Sequence, residues 1–196
     1  SAMKPAVALA ALQEGVIDTS TQFRCGYTYY NADMPDFHPL CMGTHGYLNV
    51  IEALTVSCNI FFYDTGYNLG IDNMNLYQRK LGLGELTGVE IYEDPGTLAG
   101  PDEKEDWYGG DTIMAAIGQS DNLITPVQLA TYAATIANNG TRLRTHVVDK
   151  ITDYSRQTVL EETQPEVVEE NIFDQEVLDI VKGAMRNVVT SPSGTG

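Results

Sequence analysis

Apolar residues recur along this chain in runs divided by glycines, prolines and acidic stretches, and most of the runs carry helical spacing. The first run is the strongest. Pro5-Ala6-Val7-Ala8-Leu9-Ala10-Ala11-Leu12-Gln13-Glu14-Gly15 sets good helix formers behind a proline that only a first turn tolerates, with Gly15 where a helix ends. Val16 to Gly46 reads as irregular, punctuated by Gly26, Pro35, Pro39, Gly43 and Gly46, with a short hairpin around Tyr27, Tyr29 and Tyr30. Leu48 to Val56 predicts a helix capped by Asn49, and a second apolar run extends from Ile60 to Gly70. Asn73 to Leu81 predicts another helix, ended by Gly82 and Gly84, then Thr87 to Ile91 a short extended piece. Asp94 to Gly110 is an acidic surface loop whose end Trp107 pins. Thr125 and Pro126 form an N-cap and first-turn pair, starting a helix that Asn138-Asn139-Gly140 stops after Ala137. Val147 to Val159 has strand-like pieces around a turn, Gln164 to Glu170 is acidic loop, and Asp174 to Val189 is a final amphipathic helix before the Ser191 to Gly196 loop.

On this pattern the reactive side chains gather in two places. Ser1 and Lys4 stand three apart at the opening of the first helix, so they share a face, and the positive helix end favours an alkoxide there. That is a nucleophile beside a base, provided burial or a neighbouring cation keeps the amine partly neutral. The same pair also reads as an N-cap serine and a solvated lysine. Ser57-Cys58-Asn59 interrupts two apolar helical runs, where small polar groups either face a cavity or cap the next helix.

Composition narrows the rest. The 196 residues suffice for one domain or a domain and a half. With 11 basic against 27 acidic residues and a formal charge of -16, electrostatic binding of nucleic acid or an anionic membrane surface is disfavoured. No run of eighteen apolar residues occurs, and the abrupt start inside a helix signal is expected of a piece whose targeting information lay upstream. Cys25, Cys41 and Cys58 leave three possibilities open: a Cys25–Cys41 disulfide, free thiols, or a zinc site from Cys25, His38, Cys41 and His45, whose spacing is not a standard one. No cofactor and no metal are expected.

Taken in order, Ser1-x-x-Lys4-Pro5, Ser57-x-Asn59, Gly118-Gln119 and Thr125-Pro126-x-Gln128-Leu129-Ala130 resemble the transpeptidase domain of penicillin-binding proteins, and within it the class B, monofunctional branch. His45-Gly46, Glu52-Ala53-Leu54 leading into the triplet, Leu81-Gly82-Leu83-Gly84 with Thr87-Gly88, and Ala137-Asn138-Asn139-Gly140 extend the likeness over nearly the whole chain. The resemblance implies an α+β penicillin-binding transpeptidase-like fold. Residues 1–196 would be a partial domain, mainly the helical lobe, with most of the central antiparallel sheet outside it. It implies a peptidoglycan D,D-transpeptidase with catalytic residues Ser1, Lys4, Ser57 and Asn59. Ser1 would attack the penultimate D-alanine of a stem peptide, Lys4 take its proton, Ser57 relay that proton to the leaving amine, and Asn59 hold the substrate amide and the lysine. The family's Lys-Thr-Gly strand is missing; at Ser193-Gly194-Thr195, Pro192 stands where the cation belongs. The fragment is therefore expected to be inactive alone. Implied partners are peptidoglycan stem peptides, β-lactams and other cell-wall synthesis proteins, with no nucleic acid. The implied place is the extracytoplasmic face of a bacterial membrane, anchored by an upstream segment, where an oxidising environment would suit a Cys25–Cys41 disulfide. Alternatives are a β-lactam-binding sensor module, or a serine β-lactamase drawing a deacylating base from Glu90, Glu93 or Asp94.

Overall fold

The computed structural model describes residues 2–196, so Ser1 lies outside the described residues. In chain order its elements are α1 (Lys4–Gln13), β1 (Phe23–Cys25), β2 (Gly46–Leu48), α2 (Val50–Thr55), α3 (Asn59–Leu69), α4 (Ile71–Lys80), α5 (Gly109–Ala116), α6 (Pro126–Ala137), β3 (Arg142–Leu143), β4 (Lys150–Thr152), β5 (Val159–Glu162), β6 (Val167–Glu169) and α7 (Gln175–Thr190). The fold is α+β and dominated by helices. A helix apolar on every side belongs in the middle, and α1 is that helix: Ala6 to Ala11 are completely buried beneath α2, α3, α4 and α7.

Side chains fix both ends of this central helix and its neighbours. The Gln13 amide accepts the Asp174 N–H at 2.8 Å and donates to its carboxylate at 3.3 Å, tying the end of α1 to the start of α7. Tyr77 of α4 donates to Glu14 at 2.6 Å. Asn49 caps α2 by accepting the Ile51 and Glu52 N–H groups, while Glu52 reaches back to the Asn49 N–H. Thr125 and Gln128 cap α6 in the same reciprocal way, and the fully buried Gln128 also donates to the carbonyls of Glu85 and Pro95.

Three two-stranded antiparallel sheets sit at the periphery: β1 with β2, β3 with β6, and β4 with β5. The last matches the strand-like pieces expected around a turn. The hairpin expected near Tyr27, Tyr29 and Tyr30 does not form; Tyr27 at φ 79° turns the chain out of β1, whose Cys25 pairs with Gly46. Thr28 instead bridges Leu40, closing a long excursion between β1 and β2. The acidic stretch expected as loop contains β6, an exposed edge strand without the one-sided alternation that reveals buried strands. Thr87 to Ile91 is not a strand, because the Glu93 carboxylate binds the Thr87 and Gly88 N–H groups that a ladder would use. α5 begins inside the expected acidic loop, where Trp107 donates to Thr112 at 2.9 Å.

The contact of α3 with α5 depends on Gly66, where an added Cβ would lie 2.3 Å from the Ala116 Cβ. Overpacking costs about 1–3 kcal/mol, more than the ~1 kcal/mol that alanine gains over glycine in a helix. In the complete protein Gly66→Ala is expected to lower the urea unfolding midpoint; an unchanged or higher midpoint would show that this contact yields freely.

Candidate active site

The first turn of α1 and the α2–α3 junction meet at one side chain. Lys4 is 2 % exposed, and its amine donates to the Ser57 carbonyl at 2.7 Å, the Ser57 hydroxyl at 3.0 Å and the Asn59 Oδ1 at 2.7 Å. Burial pulls its pKa from 10.5 to about 8, against the opposing pull of charge on Cys41 and Cys58. The solvated-lysine alternative is thereby excluded. An ammonium has three N–H donors, and here all three have acceptors.

The junction supplies those acceptors through a particular helix ending. At the end of α2 the Ser57 N–H bonds the Leu54 carbonyl and the Cys58 N–H bonds the Ala53 carbonyl, the crossed pair of a Schellman cap. Glycine usually occupies the left-handed position of that cap; Ser57 holds it here at φ 54°, at about 1–2 kcal/mol for an L residue. Glycine would relieve that strain but remove the hydroxyl, so the sequence keeps a polar group where the backbone disfavours one. Asn59 begins α3, and its amide nitrogen donates to the Leu40 carbonyl at 3.2 Å, which Tyr63 also approaches at 3.3 Å. The amide is thus oriented from both ends, Oδ1 toward Lys4 and Nδ2 toward the excursion.

A cleft of about 290 Å³ opens over this constellation, lined by Ala2, Lys4, Pro5, Leu54, Ser57, Met185, Val188, Val189 and Thr195. The structure therefore brings Lys4, Ser57 and Asn59 together beside Ala2, the residue that follows Ser1. Sequence reading missed the Leu40 carbonyl and the apolar wall that the end of α7 contributes. Neither carries a motif, since a backbone carbonyl has no residue signature and Val188 and Val189 look like ordinary helix positions.

The cysteines form a second constellation directly behind the first. All three are free thiols, so of the three possibilities left open the Cys25–Cys41 disulfide is not present. Instead the ligand atoms of Cys25, Cys41, His45 and Cys58 lie within 4.8 Å of one another. His45 Nδ1 is 3.4 Å from the Cys25 sulfur and 3.6 Å from that of Cys41, and the Cys41 and Cys58 sulfurs are 3.8 Å apart. Zinc bound to sulfur at about 2.3 Å and nitrogen at about 2.0 Å in a tetrahedron sets edges of about 3.8 and 3.5 Å, which these three spacings match, while the set as a whole reaches 4.8 Å and would draw in slightly around the ion. Cys41 is held well below the ordinary thiol range by a hydrogen bond from Cys58, helped by N–H groups from Gly43, Asn59 and Ile60 against the effect of burial.

Four protein ligands leave no open position, so a metal here would be structural, joining the Ser57-Cys58-Asn59 triplet to β1 and the excursion. The expectation of no metal thus meets a complete donor set. In the four-residue set read from sequence, His38 is replaced by Cys58; His38 packs against Tyr30, the ring centroids 4.8 Å apart and the planes tilted by 48°. Cys58 hid because it is the middle residue of a triplet noticed for its flanks, with no Cys-x-x-Cys knuckle to mark it.

Comparison with known proteins gives this geometry a context. The model of the penicillin binding protein transpeptidase domain matches residues 1–196. The peptidoglycan D,D-transpeptidase MrdA of Acinetobacter baumannii is 30% identical over 203 residues, covering 100% of this chain and 30% of the relative. The chain thus spans less than a third of that relative's length. Pseudomonas aeruginosa PBP2, solved in complex with WCK 5153, superposes with a TM-score of 0.84 at 27% identity, covering 100% of this chain and 45% of that one. A chain from a structure describing coordination of polymerization and crosslinking by a peptidoglycan synthase complex gives 0.81 at 29% identity, covering 97% of this chain and 32% of that one.

If the four-ligand cluster holds zinc, the complete protein purified without chelator carries one zinc per chain by mass spectrometry, and Cys58→Ser loses it with a lower melting temperature. Native protein without metal, with all three thiols titrating freely, would contradict the assignment.

Proposed function

This chain belongs to the penicillin-binding protein transpeptidase family, and from that premise we propose that it is the lobe of a peptidoglycan D,D-transpeptidase that carries the nucleophile. The observation that carries the proposal is the buried Lys4 amine, bonded to both polar members of the triplet and lowered toward neutrality. Ser1 is assigned as nucleophile from its register with Lys4 alone.

In this reading the Ser1 oxygen attacks the carbonyl of the penultimate D-alanine and its proton passes to neutral Lys4. Ser57, 3.0 Å from that amine, hands a proton to the departing D-alanine nitrogen as the peptide C–N bond breaks, since a hydroxyl donates and accepts together. An acyl-enzyme remains on Ser1. An amine of a neighbouring stem peptide then attacks the ester carbonyl, the cross-link forms, and the proton returns to the Ser1 oxygen. Asn59 positions Lys4, and the N–H it does not give to Leu40 faces the substrate amide. A β-lactam enters the first half of this sequence and stays as an ester.

The substrate places the reaction on the extracytoplasmic face of a bacterial membrane, with other cell-wall synthesis proteins as partners. The likeness to a chain of a peptidoglycan synthase complex supports those partners. No helix among the described residues is long and apolar enough to cross a membrane. The β-lactamase alternative loses its candidate bases: Glu93 is engaged by Thr87 and Gly88, Glu90 by the Val147 N–H, and Asp94 by the Gly96 N–H.

In the complete protein a fluorescent penicillin is expected to label Ser1, and Lys4→Ala to slow acylation by about 10²–10⁴-fold. Lys4 is a base only when deprotonated, so the acylation rate is expected to rise with pH and level off above about 8. An unlabelled Ser1 would refute the proposed chemistry, and a rate flat between pH 6 and 9 would remove Lys4 as the base.

A further inference from the structure

The first turn of α1 has a hydrogen-bonding problem that its own residues do not solve. Its N-cap is Met3, whose side chain makes no capping hydrogen bond, and Pro5 has no N–H. Ala6 is fully buried, so its N–H needs a protein partner, and in a regular helix that partner is the Ala2 carbonyl. Here a side chain from far along the chain takes that carbonyl instead: the Tyr132 hydroxyl on α6 donates to it at 3.2 Å, with the Ala6 N–H close to the phenol oxygen.

We propose that Tyr132 is a positioning residue for the nucleophile turn, its hydroxyl donating to the Ala2 carbonyl. Residues 2 and 3 are a turn, with helix beginning at Lys4, and that donation ties the turn to α6. A second contact backs the same turn: Gly118, at φ 78°, leaves no room for a side chain, since a Cβ there would lie 2.6 Å from the Met3 Cγ. Two stretches far along the sequence thus brace the segment that opens the chain. Without the hydroxyl, the Ala2 carbonyl loses that tie and the turn leading into Lys4 is free to shift.

The inference rests on acylation of Ser1 as read above, and the test separates the two. In the complete protein, Tyr132→Phe removes one oxygen and keeps the ring packed. Stopped-flow acylation by a fluorescent penicillin is expected to show a rate constant roughly tenfold to a hundredfold lower, with the dissociation constant of the initial complex and the pH midpoint unchanged. Thr135→Val, which removes another buried hydroxyl from α6, is expected to lower the melting temperature without slowing acylation. If Tyr132→Phe only lowers the melting temperature and acylates at the wild-type rate, Tyr132 is structural and the inference fails. Failure of the wild type to acylate would instead remove the proposed function. Should Tyr132→Phe not fold, the wild type still decides. A slowly exchanging Tyr132 hydroxyl proton, as donation to the Ala2 carbonyl requires, is expected, and its absence overturns the inference.

Discussion

The arrangement depends on keeping an amine out of water without leaving any of its protons unpaired. Lys4 emerges from a helix with no solvent-facing side, so the amine must find its acceptors inside the protein. Isolated, such a group would lose its charge or destabilise the fold by several kcal/mol. The α2–α3 junction prevents that with one carbonyl, one hydroxyl and one amide oxygen. The resulting balance leaves the amine close to neutrality while fully hydrogen-bonded. A proton acceptor for a serine requires that balance.

Around this centre the chain spends strain and buried polarity where chemistry needs them. Ser57 occupies a backbone conformation that glycine would hold at lower energy, because only a residue with a hydroxyl serves both the helix ending and Lys4. Cys58 faces away from the cleft into the sulfur and imidazole cluster, so the two flanks of the triplet point toward reaction and its middle toward the scaffold. The Asn59 N–H also meets the Cys41 sulfur at 3.2 Å. Anything that fixes the cluster therefore fixes the acceptors of Lys4, which gives a structural metal a direct mechanical connection to that amine.

Much of this was legible in the sequence, for identifiable reasons. The central helix declared itself because Ala6 to Ala11 carry no polar face, and α6 because Thr125, Pro126 and Gln128 write a complete start signal. Lys4, Ser57 and Asn59 were found through their order along the chain. What escaped notice depended on distance in sequence. The pairing of β1 with β2 spans an excursion that no local pattern predicts, and Cys58 joins Cys25 and His45 only once that excursion folds back. β6 escaped because neither of its faces is buried, so hydrophobic alternation had nothing to record. Tyr132 read as one apolar helix position among several until the coordinates placed its hydroxyl at the opening of α1.

The central claim concerns the ionisation of one amine, and it can be read without any substrate. Carbon-13 labelling of lysine in the complete protein, followed by a nuclear magnetic resonance pH titration of the Cε signals, isolates Lys4 by comparison with Lys4→Arg. The account predicts a midpoint near 8 for that signal. A midpoint at the ordinary value of 10.5 would mean that the amine is solvated and charged, and would contradict the account.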